Sequence, residues 1–402
     1  MDDKEKIVDD LLARSIALVL PSKDELKKAL LSGEKLRIYS GYDATAPKLH
    51  LGHSTNFILL EKLRRLGHEI VVLFGNFTAR IGDPSDKTAA RVRLNEEEVE
   101  KNIGTWKEQV SPILNFDDSE NPARIVRNAD WLSKLTFEDV INLSSNFTVQ
   151  QMLERDMFQA RLKEEKPIYL HEFFYPLMQG YDSVHLNVDV EIGGTDQTFN
   201  MLMGRTLQRK YHNKEKFVIS TTLLTNPTTG KKLMSKSEGG YIALNDNPRD
   251  MFGKTMSLPD ETIIQMFVDC TFVPLSEIGE FEKAMDLGNV NPRDLKMRLA
   301  EEITRIYHGD SKAWAARDDF NAAFRDRGIP QNIPEFSCNS GTLFIDIATE
   351  AKLVSSRSEY KRLVGEGGVS FGEAKIDDFA TVVGRDGVFK IGKHKFIKIV
   401  LK

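Results

Sequence analysis

An α/β fold built on a doubly wound parallel sheet is what the sequence predicts, on three observations. "KLRIYSGYD", residues 35–43, starts as a short strand, and "STNFILLEKLRRLGHEIVVLFGNF" then gives a helix pattern, a glycine stop and a second strand. "IVVLF", residues 70–74, is the continuous apolar run expected of a parallel strand covered on both faces. A second strand–turn–helix junction follows at "VEIGGTDQTFNMLMGRTLQ", residues 190–208, which carries the doubly wound part to about residue 225.

Each element has its own justification. The first strand is expected to break at its glycine. In the helix after it, Phe57, Leu60, Leu63 and Leu66 recur at helical spacing, and Gly67 suits the residue just past a helix end. "SGYDATAPKLHLGH", residues 40–53, therefore joins the C-terminal end of a strand to the N-terminus of a helix. Open α/β sheets bind ligands there, and anions gain from free amides and the helix dipole. After residue 95 the sequence reads as mostly helical up to the strand-like "VDVEIGG", and residues 245–330 read as helical without strand signals. A Pro/Asn/Ser-rich link, "GIPQNIPEFSCNSGT", leads to a tail that reads as helix ("SRSEYKRLVGEGG"), strand and turn.

Composition narrows the function. At 402 residues, two or three domains are expected. No apolar run approaches the roughly 18 residues that a membrane span needs. The N-terminus, "MDDKEKIVDDLLARS", is acidic and amphipathic, unlike a secretory signal or a transit peptide, so a cytoplasmic location is expected. Cys270 and Cys338 are far apart, without metal-site spacing, and read as reduced thiols. The net charge of −5 argues against a generic nucleic-acid binder. It is distributed unevenly: residues 351–402 hold eleven Lys/Arg and six Asp/Glu, a net of +5, so the preceding 350 residues carry −10. A small basic module on an acidic body is how a selective RNA-binding tail on an enzyme would look.

Two stretches carry chemistry. In "HLGH", His50 and His53 lie three apart at a helix start, so both imidazoles can face one bound group, and Gly52 lets a ligand approach the backbone. Preorganised donors there suit a transferring phosphate, each worth about 3 kcal/mol in a transition state. "KLMSKSEGG", residues 232–240, reads as a mobile cationic loop whose Lys236, near Lys231 and Lys232, could close over a triphosphate.

Together and in this order, the two stretches resemble the HIGH and KMSKS elements of class I aminoacyl-tRNA synthetases. "YSGYDATAPKLHLGH", "GDPSDKTAAR", "YPLMQGYD", "EIGGTDQ" and "LMSKS" occur in the order of the tyrosyl-tRNA synthetases, and "SRSEYKRLVGEGGVSFG" is similar to an S4-type RNA-binding module. The resemblance covers nearly the whole chain. It implies a Rossmann-like catalytic domain over residues 1–240, a helical anticodon-binding domain over 241–335 and a small α+β S4-like domain over 340–402. It implies tyrosine activation by ATP with Mg²⁺, transfer to tRNA(Tyr), no protein-bound metal, and a homodimer.

The resemblance also implies roles. Tyr39 and Asp182 match the pair that meets the tyrosine phenol; Asp182 can accept its proton and Tyr39 can donate to its oxygen. Asp83, Tyr175 and Gln179 match the partners of the substrate ammonium, and all are suitable acceptors. Asp43, Gln197 and Asp196 match positions lining the carboxylate and ribose region, Gly194 would admit the nucleotide, and Thr45 matches a phosphate-side hydroxyl. Lys87 and Arg91 match the cations of a second mobile loop. The sequence departs from the pattern at Leu233, which stands where KMSKS has its first lysine, and at Asp86, where a glycine is common. A tryptophanyl enzyme would share the fold and both motifs, but the Tyr39–Asp182 pair suits a phenol better than an indole N–H.

Overall fold

The computed structural model describes residues 3–83, 95–234, 241–325, 333–372, 374–392 and 395–402. The chain forms two compact units, Met1–Arg317 and Asp318–Lys402.

The first unit is organised by a six-stranded sheet. Its strands are β1 (Ile16–Leu20), β2 (Arg37–Asp43), β3 (Glu69–Gly75), β4 (Arg124–Arg127), β5 (Val190–Gly194) and β6 (Phe217–Thr221), in the spatial order β1-β6-β5-β2-β3-β4. All neighbours are parallel except β1, which runs antiparallel to β6 at the edge. The α/β class and the parallel sheet agree with the sequence reading. β1 and β4 lie in stretches that were not expected to be strands: both are short edge strands, and neither shows the alternation that marks a half-buried strand. β2 does not break at Gly41 but continues to Asp43, paired residue by residue with β3 as far as Asp43 opposite Gly75.

Six helices of this unit matter most: α1 (Leu51–Arg65), α2 (Phe174–Leu186), α3 (Thr198–His212), α4 (Pro248–Met256), α5 (Ile263–Cys270) and α6 (Pro292–His308). α1 connects β2 to β3 and buries Phe57, Leu60 and Leu63; it ends at Gly67, whose φ of +96° is the left-handed conformation glycine tolerates. The apolar faces of α4, α5 and α6 share one core with α1, including Phe57, Met251, Phe267 and Leu299, all fully buried. Among the described residues 245–325 there is no strand, as expected.

β2 leads through α1 to β3 on one side, while β5 leads through α3 to β6 on the other. The strand order therefore reverses between β2 and β5, which opens a crevice at their C-terminal ends.

The second unit carries its own sheet of β7 (Glu335–Cys338), β8 (Val369–Phe371), β9 (Ala374–Lys375), β10 (Gly387–Ile391) and β11 (Lys395–Leu401), in the order β7-β11-β10-β8-β9. Helices Phe344–Glu350 and Arg357–Gly365 close a core around Phe344, Tyr360, Phe389 and Ile399. Cys270 and Cys338 are buried free thiols. No helix among the described residues is long and apolar enough to cross a membrane.

Candidate active site

The crevice holds a cavity of about 920 Å³. Tyr39, Asp43, Thr45, His50, Gly52, His53, Asp83, Tyr175, Gln179, Asp182, Gly194, Asp196 and Gln197 all line it. Residues scattered over 159 positions of sequence thus converge on one space, because β2, β5, α1 and α2 meet at the switch in strand order. Lys232 and Met234 line it as well. Lys87, Arg91 and Lys236 lie outside the described residues, as does Asp86.

His50 is the N-cap of α1, and the two imidazoles cap the helix start between them. His50 Nδ1 accepts from the Gly52 amide at 3.1 Å, and His53 Nδ1 accepts from the His50 amide at 3.1 Å. A ring nitrogen that accepts from an amide carries no proton, which puts the His50 ring proton on Nε2; the same tautomer of His53 goes with the shorter of its two Nδ1 contacts, the other being the His50 carbonyl at 3.3 Å. The ring centroids are 4.0 Å apart. Gly52 is needed for this packing: a Cβ there would fall 2.9 Å from both Cε1 and Nδ1 of His50.

Asp43, at the end of β2, accepts from Thr78 Oγ1 at 2.6 Å and from the Tyr175 hydroxyl at 2.9 Å. Burial, followed by the charges of Asp43 and Asp83, pushes the Tyr175 phenol well above its usual range, so it stays protonated and donates. Gln197 Nε2 donates to Asp83 Oδ2 at 2.6 Å, and the guanidinium of buried Arg155 lies 3.8 Å from Asp83 Oδ1. Gly194 ends β5 beside Asp196; a Cβ there would lie 2.6 Å from Asp196 Oδ1.

Asp182, on α2, is 2% exposed and accepts from Trp131 Nε1 at 2.7 Å and Asn128 Nδ2 at 3.2 Å. Burial drives its carboxyl well above the usual carboxylate range, although both donors pull it down. Tyr39 is 1% exposed in the middle of β2. Its phenol is pushed up by burial and then by the carboxylates of Glu191 and Asp182. Its proton, however, is given to Glu191 Oε1 at 2.7 Å. The expected donation by Tyr39 into the cavity is therefore not the arrangement found, because a buried carboxylate behind it is the stronger acceptor.

Sequence reasoning missed Glu191, Lys216, Ser183, Trp131 and Asn128. Glu191 was visible as a charge inside the apolar strand "VDVEIGG", and Lys216 as one directly before "FVIST". Trp131 and Asn128 come from "NADWL", a stretch far from both motifs, and nothing in their spacing ties them to Asp182.

Comparison with known proteins identifies the family. The family model for class I tRNA synthetases of the tryptophan and tyrosine type matches residues 31–325. The tyrosine–tRNA ligase of Carboxydothermus hydrogenoformans is 42% identical over 98% of this chain and 97% of its own length. That of Thermotoga maritima is 43% identical over 97% of this chain and 96% of its own. Among solved structures, the C-terminally truncated mitochondrial tyrosyl-tRNA synthetase of Aspergillus nidulans shares the fold with a TM-score of 0.67 at 23% identity, covering 79% of this chain and 94% of that one. The tyrosyl-tRNA synthetase of Archaeoglobus fulgidus, crystallised with L-tyrosine, does so with a TM-score of 0.61 at 23% identity, covering 79% of this chain and all of its own. With most of its length matched by the family model and nearly all of it by relatives above 40% identity, the chain belongs to the class I tyrosyl-tRNA synthetases.

Proposed function

We propose that this one cavity carries out the ligation of tyrosine to tRNA in two steps. The tyrosine carboxylate attacks the α-phosphate of ATP, the α-phosphate–pyrophosphate bond breaks, and tyrosyl-adenylate forms as pyrophosphate leaves. The terminal ribose hydroxyl of tRNA(Tyr) then attacks the activated carbonyl and releases AMP. The observation that carries this reading is the convergence of the buried Tyr39–Asp182 site and the His50–His53 helix start on one space.

Asp182 and Tyr39 receive the phenol; a carboxylate that burial has made more basic is a better acceptor for its proton. Asp83, Tyr175 and Gln179 hold the ammonium, with Asp83 steadied by Gln197 and Arg155. Asp43 and Asp196 border the carboxylate and ribose, and Gly194 leaves room for the nucleotide. His50 and His53 offer Nε2–H donors at the N-terminus of α1, with Thr45 beside them, where negative charge moves onto the phosphates. Lys87, Arg91 and Lys236 supply cations from loops, and Lys232, on the cavity wall, adds one where Leu233 interrupts the motif. Catalysis is thus positioning and electrostatics, with no covalent enzyme intermediate.

Mg²⁺ would accompany the ATP triphosphate, whose oxygens would coordinate it.

Residues 241–335 are read as the anticodon-binding part and 340–402 as an S4-like tRNA-binding module. In the second unit Lys361 lies 4.6 Å from the centroid of half-exposed Phe379, a pairing of cation and aromatic suited to phosphates and splayed bases. A cytoplasmic homodimer is proposed on the strength of family resemblance and of exposed Phe137, Ile141, Val149, Leu162 and Leu170, an apolar series that water alone would cover poorly.

The test is amino-acid-dependent ATP–pyrophosphate exchange. Tyrosine should support it, whereas phenylalanine and tryptophan should fall short by several orders of magnitude in kcat/KM; equal rates with tryptophan would overturn the tyrosine assignment.

A further inference from the structure

Behind Tyr39 lies a charged pair that the reaction does not use. Lys216 is fully buried, and its ammonium is ion-paired with Glu191 Oε2 and donates to Ser183 Oγ at 2.9 Å. Glu191, 2% exposed, also accepts from Gln179 Nε2 at 3.0 Å and Ser183 Oγ at 3.2 Å. The surrounding helices are shaped to it: a Cβ on Gly204 of α3 would fall 2.5 Å from Lys216 Nζ and 2.7 Å from Ser183 Oγ. Withdrawing a lysine and a glutamate from water is costly, and a pair of apolar residues could fill the same volume.

The pair acts on one atom. An ionised carboxylate accepts hydrogen bonds and donates none, so the 2.7 Å contact between Tyr39 Oη and Glu191 Oε1 must use the single Tyr39 proton. What Tyr39 then offers the cavity is oxygen. Asp182, already held by Trp131 and Asn128, offers oxygen too.

We propose that the buried Glu191–Lys216 pair fixes the Tyr39 hydroxyl with its proton turned away from the cavity, so that the phenol site selects a hydrogen-bond donor at the para position of the substrate ring. Glu191 and Lys216 are positioning residues, acting through Tyr39. The inference rests on the reading that Tyr39 and Asp182 meet the phenol. It predicts that 4-aminophenylalanine, with two para N–H donors, is used, whereas 4-fluorophenylalanine, with none, is rejected along with phenylalanine, and, beyond that reading, that the size of this preference depends on the pair.

The experiment is pyrophosphate exchange by the full-length chain with tyrosine, 4-aminophenylalanine, 4-fluorophenylalanine and phenylalanine. The unaltered enzyme should prefer the amino over the fluoro analogue by tenfold or more in kcat/KM. In the double variant E191Q/K216M, which removes both charges at similar volume, the new amide can donate to the Tyr39 oxygen and release its proton toward the cavity. The amino-to-fluoro ratio should then fall at least tenfold, with KM for ATP unchanged. An unchanged ratio in the folded variant, or an unaltered enzyme that uses both analogues equally, would overturn the proposal; should the double variant not fold, E191Q alone, read by the same ratio, decides. Y39F separates the two levels: an unchanged tyrosine-to-phenylalanine ratio there would remove the phenol reading itself, whereas a reduced ratio with an E191Q/K216M enzyme of normal selectivity would remove only the role of the pair.

Discussion

His50 and His53 do two jobs with two nitrogens. Each Nδ1 accepts from a backbone amide in the first turn of α1, and each Nε2 is the atom proposed above to donate to a phosphate. His53→Ala therefore removes a transition-state donor and a cap together. The donor, worth about 3 kcal/mol, should appear as a drop of 10² or more in the rate of pyrophosphate exchange with little change in KM for tyrosine. The cap should appear as a loss of about 1 kcal/mol in urea unfolding. His53→Gln separates them, since glutamine at the third helical position can still accept from the N-cap amide. It should restore the stability but not the rate; a variant that recovered both would mean that the imidazole serves only the fold. The spacing of "HLGH" placed the pair together at a helix start, as found, but the capping role was not legible, because it depends on ring nitrogens folding back on their own backbone rather than on residue type.

Among the elements, the turn from α1 into β3 carries a pH dependence. His68, 2% exposed, accepts from the Leu36 amide on Nδ1 at 3.3 Å. Burial, with Lys4 and Lys35 nearby and despite Asp189, lowers its pKa to about 4. Between about 6.5 and 4 the unfolded chain binds a proton there that the folded chain does not, so stability is lost as the pH falls through that window. The whole window corresponds to roughly 3 kcal/mol. Urea unfolding between pH 7 and 4 should show this slope, and His68→Gln, which keeps an acceptor without a proton to bind, should flatten it; identical slopes would exclude His68 as the cause. The helix pattern, Gly67 and the apolar run of β3 were readable because buried parallel strands and core-facing helices leave strong periodic signals. β1 and β4 were not, since edge strands of four or five residues take their identity from a partner distant in sequence: Ile16 lies opposite Thr221. The Glu191–Lys216 pair shows the same limit, because two charges 25 positions apart become partners only when β5 and β6 are laid side by side.

At the scale of the whole molecule, the basic C-terminal segment lies inside one of the two units. The 351–402 segment, net +5, falls entirely within the second unit, whose residues 318–350 carry −4, whereas every residue that lines the cavity lies in the first unit. Every group proposed to touch tyrosine or ATP belongs to Met1–Arg317. The second unit has its own core and completes its own sheet, in which β7 pairs in parallel with β11. A truncation intended to remove it must therefore take β7 as well; a cut at residue 345 would leave that strand without the partner that satisfies its amides. Deleting residues 333–402 removes all five strands. Tyrosine-dependent pyrophosphate exchange should survive within a factor of about three, because chemistry on small substrates uses none of the deleted residues. tRNA charging should fall by 10² or more in kcat/KM at physiological salt, and the intact enzyme's charging should weaken steeply with added salt, since basic side chains that neutralise phosphates release counterions on binding. Charging that survived the deletion unchanged would show that the basic segment serves something other than tRNA, while loss of exchange together with charging would show that the first unit needs the second in order to fold.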